Sequence, residues 1–209
     1  MRRKTFDAIL TAGGLVLAVV LLVAGGLLTY GHSFVSSQVH DQLAQEKIFI
    51  PSVASGALTD PAIKPYLTKY AGQQLTTGAQ AKAYADHFIK VHVNKLSGNK
   101  TFAQLGDDQN ALKAQIATKP ANAADLTTQL AALTQTRDTV FKGETLRGLL
   151  LNAYAFGTMG TIAGIAALCA FAGAALMLLL SLLGMMHLRR VPADAELSVP
   201  GWHPEAAAV

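Results

Sequence analysis

The stretch GETLRGLLLNAYAFGTMGTIAG, residues 143–164, opens with Glu144 and Arg147 and ends without a charge. Glu144 and Arg147 are three residues apart, so on a helix they are neighbours on one face and can pair in water. From Leu149 the polar residues thin to Asn152, Tyr154, Thr158 and Thr161. Tyr154 and Phe156 suit the interfacial belt of a membrane, where a ring meets lipid and a polar tip meets water. No proline interrupts residues 143–191, and in hydrocarbon a helix is the single segment that satisfies its own backbone. The spacing predicts one helix, wet at its start and dry from about Gly157, stopped by His187-Leu188-Arg189-Arg190.

A second uncharged block lies upstream, between Asp7 and Asp41, matching the one between Arg147 and Arg189. Each exceeds the ~20 apolar residues that cross a bilayer. Only 14% of the 209 residues are charged, against roughly 25% in soluble proteins, so a polar middle bracketed by two membrane spans is the expected plan. Residues 8–30 make a helix of ~34 Å, enough for a hydrocarbon core of ~30 Å. A basic cluster before an apolar run also describes a secretory signal, but signal cores run only ~7–15 residues and end at an A-x-A-like site. Here the run is longer and AGGLLTYGHS, residues 24–33, has no such site. The expectation is an uncleaved signal anchor.

Arg2, Arg3 and Lys4 precede the first block, and Arg189 and Arg190 follow the second. The positive-inside rule puts both ends in the cytoplasm and the middle outside, a loop too long for its own cations to count. The expected plan is therefore a cytoplasmic start (1–7), a first span (8–30), an extracytoplasmic helical domain (31–146), an interfacial helix entering the membrane (147–156), a second span (157–186) and a disordered cytoplasmic tail (187–209). The plasma membrane is the expected location. The fold class is an all-α membrane protein, two transmembrane helices bracketing an extracytoplasmic helical bundle. Nucleic acid is not an expected partner, because the remaining basic residues are scattered among acids and form no stripe.

Small residues mark a contact surface. Gly160 and Gly164 form a GxxxG continued by Ala167 and Ala174, and Gly14, Ala18 and Gly25 repeat the pattern in the first span. Such residues let helix backbones approach closely where lipid offers no hydrophobic drive. They are expected to pack the two spans together or to form a homodimer seam. The lone Cys169, deep in the second block, reads as a small packing residue and excludes an intramolecular disulfide.

The outer region reads as helices without strands. Val35, Val39 and Leu43 extend the first span as an amphipathic helix over residues 32–47, ended by Pro51. Residues 52–56 read as loop. Asp60-Pro61 fits a cap followed by proline at the first helical position, with Pro65 keeping that element short. Thr77 with Gln80 makes a capping box for a helix to about Leu96, carrying Ala81, Tyr84, Phe88 and Val91 on one face, with Gly98 as its stop. Thr101 with Gln104, then Asp107, start one or two short helices ending before Pro120. The stripe Leu126, Leu130, Leu133 leads through Phe141 to the second span, with a weak point at Gly143.

Chemistry is hard to find. His87 and His92 are about 140° apart on a helix, so they cannot share a metal as an i, i+4 pair would. His32 and His40 would stand ~12 Å apart. Asp107-Asp108 reads as a helix cap. No nucleophile elbow, zinc-protease motif, P-loop or dinucleotide fingerprint is present. Both apolar blocks lack the membrane-embedded charge that marks an ion path. Trp202, between Pro200 and Pro204, is a lone aromatic in the tail.

The stretches KYAGQQLTTGAQAKAYADHFI (69–89), FKGETLRGLLLNAYAFGTMG (141–160) and TFDAILTAGGLVLAVVLLVAGGLLTYGHSFV (5–35) resemble uncharacterised two-span membrane proteins of actinobacteria. The likeness covers roughly nine tenths of the chain and implies a plasma-membrane setting rather than an activity. Ring-opening dioxygenase labels attached to similar sequences do not suit this chain, which lacks a facial triad of two His and one carboxylate. The functional expectation is a non-enzymatic integral membrane protein without cofactor, embedded in the lipid bilayer and acting at the cell surface as an accessory or interaction subunit, with a membrane-protein partner or a second copy of itself. The alternative is an extracytoplasmic ligand sensor with a four-helix-bundle-like domain, for which residues 187–209 leave little output.

Overall fold

The structure is a computed structural model and describes residues 3–190 and Pro192. Arg2, the Arg3 side chain and the tail with Trp202 lie outside the described residues. Among those residues there are helices and no strand; an isolated antiparallel bridge joins Phe49 to Gln74. The chain divides into two compact units, one holding residues up to His32 and from Thr161, the other Ser33–Gly160.

Helix α1 runs unbroken over Arg3–Gln45, so the amphipathic extension expected over 32–47 is the same helix as the apolar run before it. The last helix, α6, spans Ala123–Leu188, 66 residues without a break. Gly143 is therefore not a weak point. A methyl group built there would lie 2.5 Å from Val93 Cγ2, so glycine serves close approach of a neighbouring helix. Both α1 and α6 are long and apolar enough to cross a membrane.

In the first unit the helices are antiparallel and meet through glycine notches. A methyl on Gly14 would fall 2.7 Å from Ser181 Oγ, one on Gly25 2.8 Å from the Phe171 ring, and one on Gly184 2.5 Å from Thr11 Oγ1. Gly164 lies beneath His32, and Gly173 beneath Leu21. Ala18, Ala167 and Ala174 are buried. The opposite faces are bare: Leu10, Leu27 and Leu168 are each about two thirds exposed or more. Only 11% of the most apolar window of α1 and 22% of that of α6 is buried, unlike the core helix of a water-soluble protein. Thr11 and Thr29 donate their hydroxyls to the carbonyls of Asp7 and Gly25 one turn back, each at 2.8 Å, which satisfies them within the helix.

The second unit builds its core where α1 and α6 meet the intervening segment. That segment holds a 3-10 turn at Val53–Ser55, a short α2 at Lys64–Leu67, a 3-10 turn at Thr68–Tyr70, α3 at Gly78–Tyr84, a π-helical turn at Ala85–Ile89, α4 at Lys90–Ser97 and α5 at Phe102–Ala117. The capping boxes at Thr77/Gln80 and Thr101/Gln104 are both closed, side chain to backbone in each direction. Gly98 ends α4 with φ 61°, a left-handed conformation that glycine adopts without a Cβ penalty.

Three local expectations are corrected. Asp60-Pro61 forms a turn rather than a helix start: Asp60 Oδ1 accepts from Ala62 N at 2.8 Å, and α2 begins only at Lys64. The element holding Pro65 is short as expected, the four residues Lys64–Leu67, with the proline in its first turn, where a missing N–H costs nothing. Asp107-Asp108 lies inside α5 and caps nothing, since Thr101 and Gln104 already do so; Asp108 pairs with Lys100 at 2.6 Å. The buried stripe of the 78–97 segment is Ala81, Ala85, Ile89 and Val93, with Tyr84, Phe88 and Val91 only partly covered beside it. Residues four apart advance by ~40° on an α-helix and would drift off the core within three steps. The wider π-turn takes up that drift, and no periodicity rule for a 3.6-residue helix anticipates it.

Candidate functional site

The charged residues that closed the soluble part of the opening stretch form the best-defined polar cluster. Arg147 Nη1 donates to Glu144 Oε2 at 3.0 Å, as the three-residue spacing implies, and its Nη2 donates to Asp86 Oδ1 at 3.3 Å. Asp86 stands on the π-turn and also accepts from Lys82 Nζ at 2.8 Å. The Lys82 ammonium lies 5.2 Å from the centre of the Tyr154 ring, within cation–π range. Burial alone raises the Asp86 carboxyl, but hydrogen bonds from Lys82 and Arg147 outweigh it and hold the group below its usual range. Asp86 in turn raises Lys82. The arrangement is a clamp fastening α3 and the π-turn to α6. The ion pairs keep Lys82 protonated and Asp86 ionised, and burial raises the Tyr84 hydroxyl on α3.

A depressed carboxyl stabilises the fold above its unfolded value and loses that contribution as pH falls through the folded one. The second unit is expected to weaken below about pH 4. Arg147→Met should cost about 1–2 kcal/mol at neutral pH, by leaving Asp86 and Glu144 short of a partner, and should flatten the acid limb. Thermal unfolding of the detergent-solubilised protein between pH 3 and 7 checks both; an unchanged acid limb in the variant would remove Asp86 from the account.

His87 and His92 are engaged by neighbours in the second unit. His87 stacks on Tyr66 with ring centroids 3.4 Å apart, and His92 Nδ1 lies 2.7 Å from the Phe88 carbonyl oxygen. His40 lies beside Asp41 at 3.2 Å. Among the described residues no group of three or more His, Cys, Asp or Glu is placed to hold a metal. Cys169 is exposed on the α6 surface, so it is not the packing residue expected. Lys4, Arg189 and Arg190 are exposed. Of the small residues, Gly14, Gly25 and Gly164 face the other helix of the same chain, and Gly160 lies against Val35 of α1.

The second unit also contains a groove of about 500 Å³ between residues 34–48 of α1 and its following turn and residues 146–156 of α6. Its floor includes Val39, Leu43 and Leu150, all buried members of the core. Gln38, Gln42, Glu46 and Asn152 supply the polar lining. No motif marks this groove, because it arises from two segments about a hundred residues apart. The Asp86 partner of Arg147 escaped sequence reasoning for the same reason. Compared with protein families, with characterised proteins and with solved structures, the chain matches none.

Proposed function

We propose that this chain is a non-enzymatic integral membrane protein of the plasma membrane, with both termini cytoplasmic and the second unit outside. It serves there as an accessory or interaction subunit for a membrane-protein partner. The observation that carries the reading is the helix pair of the first unit, which packs glycine notches inward and turns leucines outward. A pair whose outer faces are apolar and bare is suited to lipid, where small-residue seams hold helices together. The basic residues at Lys4, Arg189 and Arg190 fall at the same end of that antiparallel pair, which supports a cytoplasmic assignment for it. Because the notches are filled within the chain, a partner is expected on another surface.

Topology is tested by cysteine labelling in a Cys169→Ala background. Ala117 is exposed at the end of α5 and serves as the outer reporter position. Ala117→Cys should react with an impermeant thiol reagent in intact cells, and Ser198→Cys should react only after lysis. Equal labelling of both, or recovery of the chain in the aqueous fraction, would overturn the reading. Purification in mild detergent followed by mass spectrometry should then return a stoichiometric membrane protein.

A further inference from the structure

We propose that the groove between α1 and α6 binds one acyl chain of a membrane lipid whose headgroup is uncharged and hydrogen-bonding. This rests on the membrane reading above. The first argument is dimensional. From Phe34 to Glu46 the α1 wall is ~18 Å long at 1.5 Å per residue. A volume of about 500 Å³ over that length leaves a cross-section of roughly 28 Å². That is room for one extended hydrocarbon chain lying along the groove. One leaflet contributes ~15 Å of a ~30 Å hydrocarbon core, so the length also suits a single chain.

The second argument is the surplus of apolar surface on α6. The uncharged run from Gly148 to Leu188 is ~60 Å as a helix, about twice the hydrocarbon thickness. Its upper part belongs to the second unit, where Leu149 is 64% and Phe156 49% exposed beside the groove, with Leu146 at 38%. At one end the groove is lined by Phe34 and Phe156, apolar side chains on α1 and α6. The third argument is charge. Among the described residues Glu46 is the one charged residue lining the groove, at the opposite end of the α1 wall from Phe34. It repels an anionic headgroup, while Gln38, Gln42 and Asn152 offer amide donors and acceptors to hydroxyls.

The test uses the full-length protein in phosphatidylcholine vesicles containing a monoacylglycerol with a photoactivatable diazirine in its chain. Crosslinks mapped by mass spectrometry should fall on residues 38–46 and 146–156, and excess unlabelled monoacylglycerol should suppress them. Gln42→Trp adds a ring on an exposed rim position and should cut groove labelling at least five-fold while leaving the melting temperature unchanged. Glu46→Lys should let an anionic lysophosphatidylglycerol compete where it does not in the parent. Labelling confined to residues 8–30 and 161–186, or groove labelling indifferent to Gln42→Trp, overturns the proposal. So does capture of a second copy by a photoreactive residue at position 38, since the groove would then be covered by protein. If Ala117→Cys labels from outside and the groove stays unlabelled, the lipid site falls while the membrane reading stands.

Discussion

Gly78→Val should dislodge α3 from α6 and lower the stability of the second unit by about 3 kcal/mol, the upper part of the range for overpacking. Gly78 opens α3 directly after its Thr77 cap. A Cβ at that position would lie 3.0 Å from Tyr154 Cα and 3.2 Å from the Ala153 carbonyl oxygen. Those obstacles are backbone, not the ends of flexible side chains, so they cannot rotate away. Gly157 meets the same glycine from the other helix, its built Cβ 3.5 Å from Gly78 Cα. The informative control is Gly148→Ala, where nothing lies within 4 Å in the middle of α6. That change should stabilise by about 0.5–1 kcal/mol, through helix propensity alone. Thermal unfolding in one detergent compares the two; a neutral Gly78→Val would mean that α3 is not seated on α6 as described.

Leu67→Ala is the second large effect, expected at about 3 kcal/mol. Leu67 is fully buried, and with Ile50, Ile63 and Leu75 it belongs to the largest fully buried side chains among the described residues; Val140 on α6 is the fifth. Four of those five come from the irregular segment between α1 and α3. By contrast Leu130, on the predicted α6 stripe, is only partly buried. Leu130→Ala should cost under ~1 kcal/mol, since a side chain that keeps its water contact loses little transfer energy on truncation. If the two alanine variants melt together, the core is elsewhere than the segment between residues 48 and 75.

This contrast shows which parts of the fold were legible. The two capping boxes, the Gly98 stop and the long apolar helices are written in neighbouring residues, and local chemistry decides them. Ile50 stands alone outside any helix, and Ile63, the N-cap of the four-residue α2, shares one turn with Leu67, its last residue, a run too short to show as a helical period. Thr76 and Thr77 show the limit from the other side: Gln80 accepts from both backbone N–H groups, a bond pattern only the first of which needs the folded turn to foresee. The π-turn was invisible because it is a departure from the 3.6-residue period that helix reading assumes. Of the candidate site, the Glu144–Arg147 half was legible from spacing. The Asp86 half and the groove required tertiary structure, since each joins positions far apart in sequence.

The alternation of bulk and notch along the helix pair of the first unit has a mechanical outcome. Phe171 sits over Gly25, Leu21 over Gly173, and Thr11 over Gly184. Sliding one helix along the other by a turn, ~5.4 Å, would push the Phe171 ring onto Leu21 or Leu28, where no recess exists. The pair thus behaves as a keyed strut: it resists a plunger-like stroke, and a rocking or twisting displacement is the motion that would leave each key in its slot.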